Sequence, residues 1–320
     1  MFQHILFDLD GTLTDPAEGI ITSIQQRKNS LIYIARLFAA FTLLACLAAP
    51  AVSAPNVQHV FIISFDGGKP AVMQQSQMPT LTAMLAEGAG TWKAQTIFPS
   101  ITLVAHTSML TGVTPTRHKV DWNDWIPSKG LVTVPTIFTL AKQKGLSTAM
   151  FVGKEKFKHL NVPGTLDQFA IPSYNAKLVA EAAARYIVAK KPNLCFIHFA
   201  DSDGAGHKYG WGSPEQKTAF ADEDAALQTV KDAIKQAGIG GTSVIILSAD
   251  HGGHEKTHGS RSPEDMIIPW ITWGAGVRRG VVITAPVTTY DTAATALWLL
   301  HVPVPIDWDG KPVMSAYTYK

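Results

Sequence analysis

Cysteine is almost absent from this chain, with two in 320 residues. Cys46 falls in an apolar segment that has the marks of a cleaved leader, which leaves Cys195 alone in Leu194-Cys195-Phe196-Ile197. A single thiol in such a run reads as a small buried hydrophobe, and cleavage of that leader would exclude an intramolecular disulfide in the mature chain. An excess of charge of one sign is lacking as well. With 27 Lys+Arg against 25 Asp+Glu, the formal charge of +2 gives no electrostatic case for a nucleic-acid partner. The apolar run Leu37 to Ala49 falls short of the about 20 residues that a membrane helix needs. Internal repeats and low-complexity linkers are missing too. What remains is a chain long enough for one large domain with a sizeable core.

The amino-terminal part is composite. Residues 27–54 open with Arg27 and Lys28, run through Arg36 into the apolar stretch, and close on Ala51-Val52-Ser53-Ala54. A basic start, a short apolar centre and small residues at the end describe a secretory signal peptide, so the mature protein is expected in the periplasm or outside the cell, with no membrane span. Leu44-Ala45-Cys46 offers a second reading, as a lipoprotein cleavage site, although an apolar stretch follows it in place of a polar tether. Ahead of the leader, residues 2–16, Phe2 to Pro16, resemble the first motif of haloacid-dehalogenase-type phosphatases. In that family Asp8 would be the nucleophile and Asp10 the acid/base. The resemblance covers about 25 residues, and no later acidic pair completes the chemistry. Residues 1–26 therefore read as a detached fragment, 27–54 as a leader, and 55–320 as the working domain.

Beyond Asn56, apolar runs of strand length alternate with amphipathic stretches. Val60–Ser64, Ser147–Val152, Leu194–Phe199 and Ser243–Leu247 read as buried parallel strands. Val132–Gln143, Asn175–Ala189 and Lys217–Gln236 carry apolar residues at helical spacing. The alternation predicts an α/β fold, a doubly wound and mostly parallel sheet with helices on both faces. Ligands of such sheets bind beyond the carboxyl ends of the strands, and the chemically loaded segments fall there: Asp66 after one strand, Asp203 after another, Asp250-His251 after a third.

Four segments gain meaning together: Phe65-Asp66-Gly67, Phe98-Pro99-Ser100-Ile101-Thr102, Asp203-Gly204-Ala205-Gly206-His207, and Ala249-Asp250-His251-Gly252 continuing to Thr257-His258-Gly259. A lone Asp-Gly is most often a turn, and a lone Asp-x-x-x-His can be a surface pair. Three Asp and three His, however, supply the hard oxygen and borderline nitrogen donors that suit Zn²⁺. Two ions about 4 Å apart hold the attacking and leaving oxygens of an in-line displacement at phosphorus. A threonine hydroxyl becomes a nucleophile when metal coordination lowers its pKa.

These segments, in this order, resemble the type I phosphodiesterase/nucleotide pyrophosphatases of the alkaline-phosphatase superfamily, over about residues 57–300. The resemblance implies an alkaline-phosphatase-like fold and two divalent ions, with zinc favoured. One ion would be held by Asp66, Asp250, His251 and the Thr102 oxygen, the other by Asp203, His207 and His258. It implies Thr102 as nucleophile of a covalent phospho-enzyme, and Asn123 as donor to a phosphoryl oxygen. Thr111-Gly112, Pro115 and His118 match the segment beyond the nucleophile, whereas Lys119 stands where a glycine often follows. His254 is a further candidate ligand; Thr257-His258-Gly259 fits the late motif better. Ser100 and Ser108 are rival hydroxyls that spacing alone does not separate from Thr102.

His106 is expected behind the nucleophile, in a supporting role. His4, His59, His159, His198 and His301 have no partner motif and read as surface or core residues. Trp122 and Trp125 flank Asn123 and either pack beneath its loop or stack on a flat leaving group. Tyr209 and Trp211 carry the same ambiguity. The expected substrate is a small soluble phosphodiester or nucleotide. Phosphomonoester, phosphonate or sulfate ester hydrolysis on the same site is the alternative, and a dehalogenase-type phosphatase or a non-catalytic metal-binding relative are the more distant ones. The sequence leaves oligomeric state open.

Overall fold

Val60 to Ile63 carry an apolar side chain at every position, so no face of that segment is fit for water. It forms the middle of β1 (His59–Phe65), buried along its whole length. The computed structural model describes residues 55–318 together with Gln25. Gln25 aside, the readings made for residues 1–54 lie outside the described residues. The other strands are β2 (Ala89–Gln95), β3 (Thr148–Phe151), β4 (Gln168–Ala170), β5 (Leu194–Phe199), β6 (Ser243–Ser248), β7 (Ile267–Gly274) and β8 (Val281–Val282). They form one eight-stranded sheet in the order β4-β3-β5-β1-β6-β7-β2-β8. Only β7 runs against the others.

Successive side chains on β1, β5 and β6 enter opposite cores. Val60 and Ile62, Leu194 and Phe196, and Val244 and Ile246 join one apolar cluster. Phe61 and Ile63, Cys195 and Ile197, and Ile245 and Leu247 join the other. Each such fully buried aliphatic or phenyl side chain contributes about 1.5–3 kcal/mol, and helices cover both faces. The doubly wound, mostly parallel sheet expected from the sequence is thus observed.

The structure differs from the sequence reading in one helix start and in four strands outside that reading, β2, β4, β7 and β8. The helix expected over Val132–Gln143 begins at Ile137, because Thr136 closes a capping box with Thr139 and Pro135 just before it disfavours helix in the preceding residue. Strand β7 was not anticipated, since Pro269 sits inside it. The sheet accommodates the proline where the β2 register shifts between Thr91 and Ala94, so no ladder hydrogen bond is demanded of its nitrogen.

The topology positions the site. Strand β1 lies between β5 and β6, with Phe65 opposite Phe199 and Ser64 opposite Ser248. Parallel neighbours in register deliver their carboxyl ends to one edge. Asp66 follows β1 directly, Asp250 lies just past β6, Asp203 lies in the first turn of the Asp201–Tyr209 helix after β5, and β3, beside β5, brings Gly153-Lys154 to the same edge.

Candidate metal centre

Asp66, Asp250 and His251 converge as one buried trio; Asp203, His207 and His258 converge as a second. Within each trio the donor atoms lie within 4.8 Å of one another. The trios stand side by side, for the His251 and His258 rings stack with centroids 3.6 Å apart and planes 12° from parallel. The first trio is shut from solvent, whereas His207 is exposed, so the cleft opens on the Asp203 side.

Each donor is held by one atom and left free at the other. His251 Nδ1 donates to Gly252 O (2.8 Å), His258 Nδ1 to Ser100 O (2.8 Å) and His207 Nδ1 to Lys256 O (3.0 Å). A carbonyl can only accept, so all three rings carry the Nδ1 proton and turn Nε2, the remaining nitrogen and the one that can bind a metal, toward the carboxylates. Asp250 Oδ1 accepts from the backbone N–H of Gly67 (3.1 Å) and His251 (3.0 Å). Lys154 Nζ lies 2.6 Å from Asp66 Oδ2 and 2.5 Å from Asp203 Oδ2, joining one carboxylate of each trio. The opposite atoms, Asp66 Oδ1, Asp203 Oδ1, Asp250 Oδ2 and His251 Nε2, are buried with no hydrogen-bond partner. Buried polar atoms without partners are rare and costly. Orphans that converge from hard oxygen and imidazole nitrogen donors fit divalent cations.

Charge points the same way. Three carboxylates share this cleft with one lysine at contact distance. Burial would raise Asp66, but Lys154, His198 and His251 hold it well below the carboxylate range. Burial and then the Asp66 charge push Asp250 well above that range. Such divergence is what a carboxylate cluster short of positive charge produces. Burial, followed by repulsion from His251, lowers His258 to about 4, so it stands neutral, the form in which an imidazole can bind a metal.

A profile of the family described as type I phosphodiesterase/nucleotide pyrophosphatase matches residues 60–268, well over half of the chain. The chain belongs to that family. It is 24% identical over 234 residues to mouse ectonucleotide pyrophosphatase/phosphodiesterase family member 7, an alignment covering 65% of this chain and 53% of the relative. The chain thus spans about half the length of the curated relatives it matches. Among solved structures, murine ectonucleotide pyrophosphatase/phosphodiesterase 5 in complex with AMP superposes with a TM-score of 0.69 at 14% identity, over 82% of this chain and all of that one. The phosphonate monoester hydrolase of Silicibacter pomeroyi gives 0.60 at 14% identity, over 80% and 76%. At these identities the likeness establishes the fold, which is the alkaline-phosphatase-like architecture that the sequence implied.

In this family member Thr102 is buried at the first position of the Thr102–Thr111 helix. The segment before it is tied to the second trio through His258 and Ser100. The helix is tied to the first trio through His106, whose Nδ1 lies 2.8 Å from Thr102 O and 3.4 Å from Asp250 Oδ2. The rival hydroxyls are engaged, Ser100 donating to Ser260 O (2.8 Å) and Ser108 lying 3.0 Å from His118 Nε2. Asn123 Oδ1 accepts from the Leu103 N–H at 2.9 Å, which turns the amide nitrogen away from the helix as a spare donor. His254 pairs with Asp265 (2.7 Å) and joins neither trio.

The aromatic residues divide. Trp122 Nε1 donates to His159 Nε2 (3.1 Å), and the Trp125 ring lies 4.5 Å from that imidazole, so both tryptophans pack on buried His159 beneath the loop. Trp211 donates to Gly67 O (3.2 Å) and is built into the wall, where a Cβ on Gly253 would fall 2.1 Å from its ring. Tyr209 faces solvent. His198, which has no partner motif in the sequence and reads as a surface or core residue, is a buried core residue whose Nε2 bonds Asp66 (2.8 Å). Lys154 is outside the sequence reading, although it follows β3 as residues of the two trios follow their strands, and that position is the available signal.

His118 supports the approach to Asn123. Val120 N–H donates to His118 Nδ1 (3.1 Å), so the proton resides on Nε2 beside Ser108. Burial lowers this imidazole to about 4. Its folded pKa lies below the unfolded value of about 6.5, so only the unfolded chain takes up the proton as pH falls. The associated stability is complete above that value and is lost toward pH 4. Between pH 7.5 and 5 the loss amounts to about 2 kcal/mol. In urea unfolding with chelator present, His118→Gln is expected to lose about that much less than wild type over the same interval. Equal losses would remove His118 from the account.

Proposed function

We propose that this chain is a two-metal hydrolase of phosphodiester or nucleotide pyrophosphate bonds, acting on a small soluble substrate through Thr102. The observation that carries the reading is the pair of ligand trios, their orphaned donor atoms converging beside the helix that Thr102 begins. Bound there, two divalent ions, with zinc favoured by the donor set, would supply Lewis acidity at phosphorus and lower the pKa of the hydroxyl. The Thr102 oxygen attacks phosphorus as the bond to the leaving oxygen breaks, and water then cleaves the phosphothreonine ester. Asn123 offers its amide N–H to a phosphoryl oxygen. The helix amino terminus at Thr102 favours the negative charge carried there. The nucleotide side of the proposal is supported by family membership. Export is supported by the leader at 27–54 and by relatives whose names mark them as ecto-enzymes. No helix among the described residues is long and apolar enough to cross a membrane. The Asp8–Asp10 motif has no part in the reaction.

The test is hydrolysis of bis-p-nitrophenyl phosphate, p-nitrophenyl phosphate and p-nitrophenyl sulfate by the full chain, with zinc added or chelated. Zinc-dependent cleavage fastest on the diester is expected, unchanged when residues 1–26 are deleted, from a mature protein whose amino terminus lies near residue 55. Preference for the monoester or sulfate would reassign the substrate class. Loss of activity on deleting residues 1–26, with Mg²⁺ as the required ion, would move the chemistry to Asp8.

A further inference from the structure

The two oxygens of Asp66 have different surroundings. Oδ1 is buried and unpartnered, 3.4 Å from His251 Nε2. Oδ2 takes two donors, Lys154 Nζ at 2.6 Å and His198 Nε2 at 2.8 Å. The lysine reaches across to Asp203 as well. Of the cleft carboxylates, His198 bonds Asp66 and neither Asp203 nor Asp250. It stands in β5 one residue before the strand ends, wholly buried, its ring 4.6 Å from Phe157 and 5.1 Å from His106. Its protonation pattern is determined by its neighbours. The Gly153 N–H, which can only donate, points at Nδ1 (3.3 Å), and the carboxylate, which can only accept, faces Nε2. The ring is therefore neutral, with its single proton on Nε2, and is fixed on both sides.

We propose that His198 is a positioning residue for the buried trio: its Nε2–H holds Asp66 Oδ2 so that Oδ1 faces the metal, while Gly153 and Phe157 hold the ring. The proposal rests on the two-metal reading above. Without His198, Asp66 Oδ2 keeps only Lys154, a donor on a flexible stem that is shared with Asp203, whereas the fixed imidazole confines the carboxylate to one direction. Donors that orient ligating groups in this way are worth about ten- to hundredfold in metal affinity. Gly153 directly precedes Lys154, so the same imidazole also anchors the turn that delivers the lysine.

Two amide substitutions separate the two ring nitrogens. His198→Gln places an N–H near the position of Nε2 and keeps the bond to Asp66. His198→Asn can accept from Gly153 as Nδ1 does, but its shorter side chain does not reach Asp66. The full-length wild-type protein and both variants are titrated with zinc alone against a chelating dye, after melting curves in chelator verify folding. Wild type is expected to bind two equivalents. His198→Asn is expected to weaken one of them by about ten- to hundredfold and leave the other unchanged, and His198→Gln to stay within about threefold of wild type. Equal affinities for the two variants, or a loss shared by both equivalents, would overturn the proposal and reduce His198 to a packing residue. A wild-type protein that binds fewer than two zinc ions overturns the two-metal reading and this inference with it.

Discussion

Replacing Thr102 by alanine is expected to lower diester hydrolysis by at least about a thousandfold while both metal equivalents remain bound. Thr102 is buried, and it begins a helix whose remaining turns are held by contacts its hydroxyl does not make. His106 bonds the Thr102 carbonyl, and Asn123 bonds the Leu103 N–H. Alanine preserves both bonds and is itself a good helix former, so the scaffold and the six Asp and His donors stay where they are. Only the attacking oxygen is lost. Steady-state rates on bis-p-nitrophenyl phosphate, together with zinc content of the same samples, check this. Retained activity would transfer the nucleophile to another group, Ser100 first. Lost zinc would mean that the Thr102 oxygen contributes more to ligation than to attack.

Asp250→Asn is expected to have an effect of similar size by a different route. In the wild type Oδ1 accepts from the Gly67 and His251 backbone N–H groups, and the orphaned Oδ2 faces the site. An asparagine keeps its carbonyl oxygen on those two donors, because its NH₂ group cannot accept from them. The NH₂ must then point where a cation would sit, and a ligand becomes a repulsive group. Loss of one zinc equivalent and a fall of about a thousandfold in rate follow, since a bound ion contributes several kcal/mol to stabilising the transition state. Stability in chelator should move the opposite way. Burial and the charge of Asp66 raise Asp250 well above the usual carboxylate range, so a neutral amide relieves a repulsion. With metal removed, the variant is expected to melt at or above the wild-type temperature. A melting point well below wild type would show that Asp250 serves the fold, not the ions.

The segments that supply the two trios are legible because each is short, polar and placed after an apolar run. Asp66-Gly67 follows Val60–Phe65, and Asp250-His251 follows Ser243–Ser248, so the rule that α/β sheets bind at strand ends pointed to them. Strand β7 was hidden by Pro269, whose placement depends on a register shift in β2, about 175 residues earlier in the chain. The apolar spacing over Val132–Gln143 overruns the true start of the helix at Ile137, because Pro135 and the cap at Thr136 set its first turn. His254 and His258, four residues apart, were separable only by motif in the sequence, and in the fold His254 turns to Asp265.

By itself, then, the sequence determined the class of fold, the family and the six donors that converge, because those depend on hydrophobic periodicity and on residue type at strand ends. Only the tertiary structure decided which atom of each donor is free. It also decided that Lys154 joins the two trios and that His198 bonds Asp66. His198 belongs to an apolar strand and carries no local signal. Its partner lies 132 residues away, and only the parallel pairing of β5 with β1 brings the two together. Motifs encode local chemistry, whereas the direction in which a carboxylate or imidazole points is set by hydrogen bonds from chain segments that meet only when the sheet has formed.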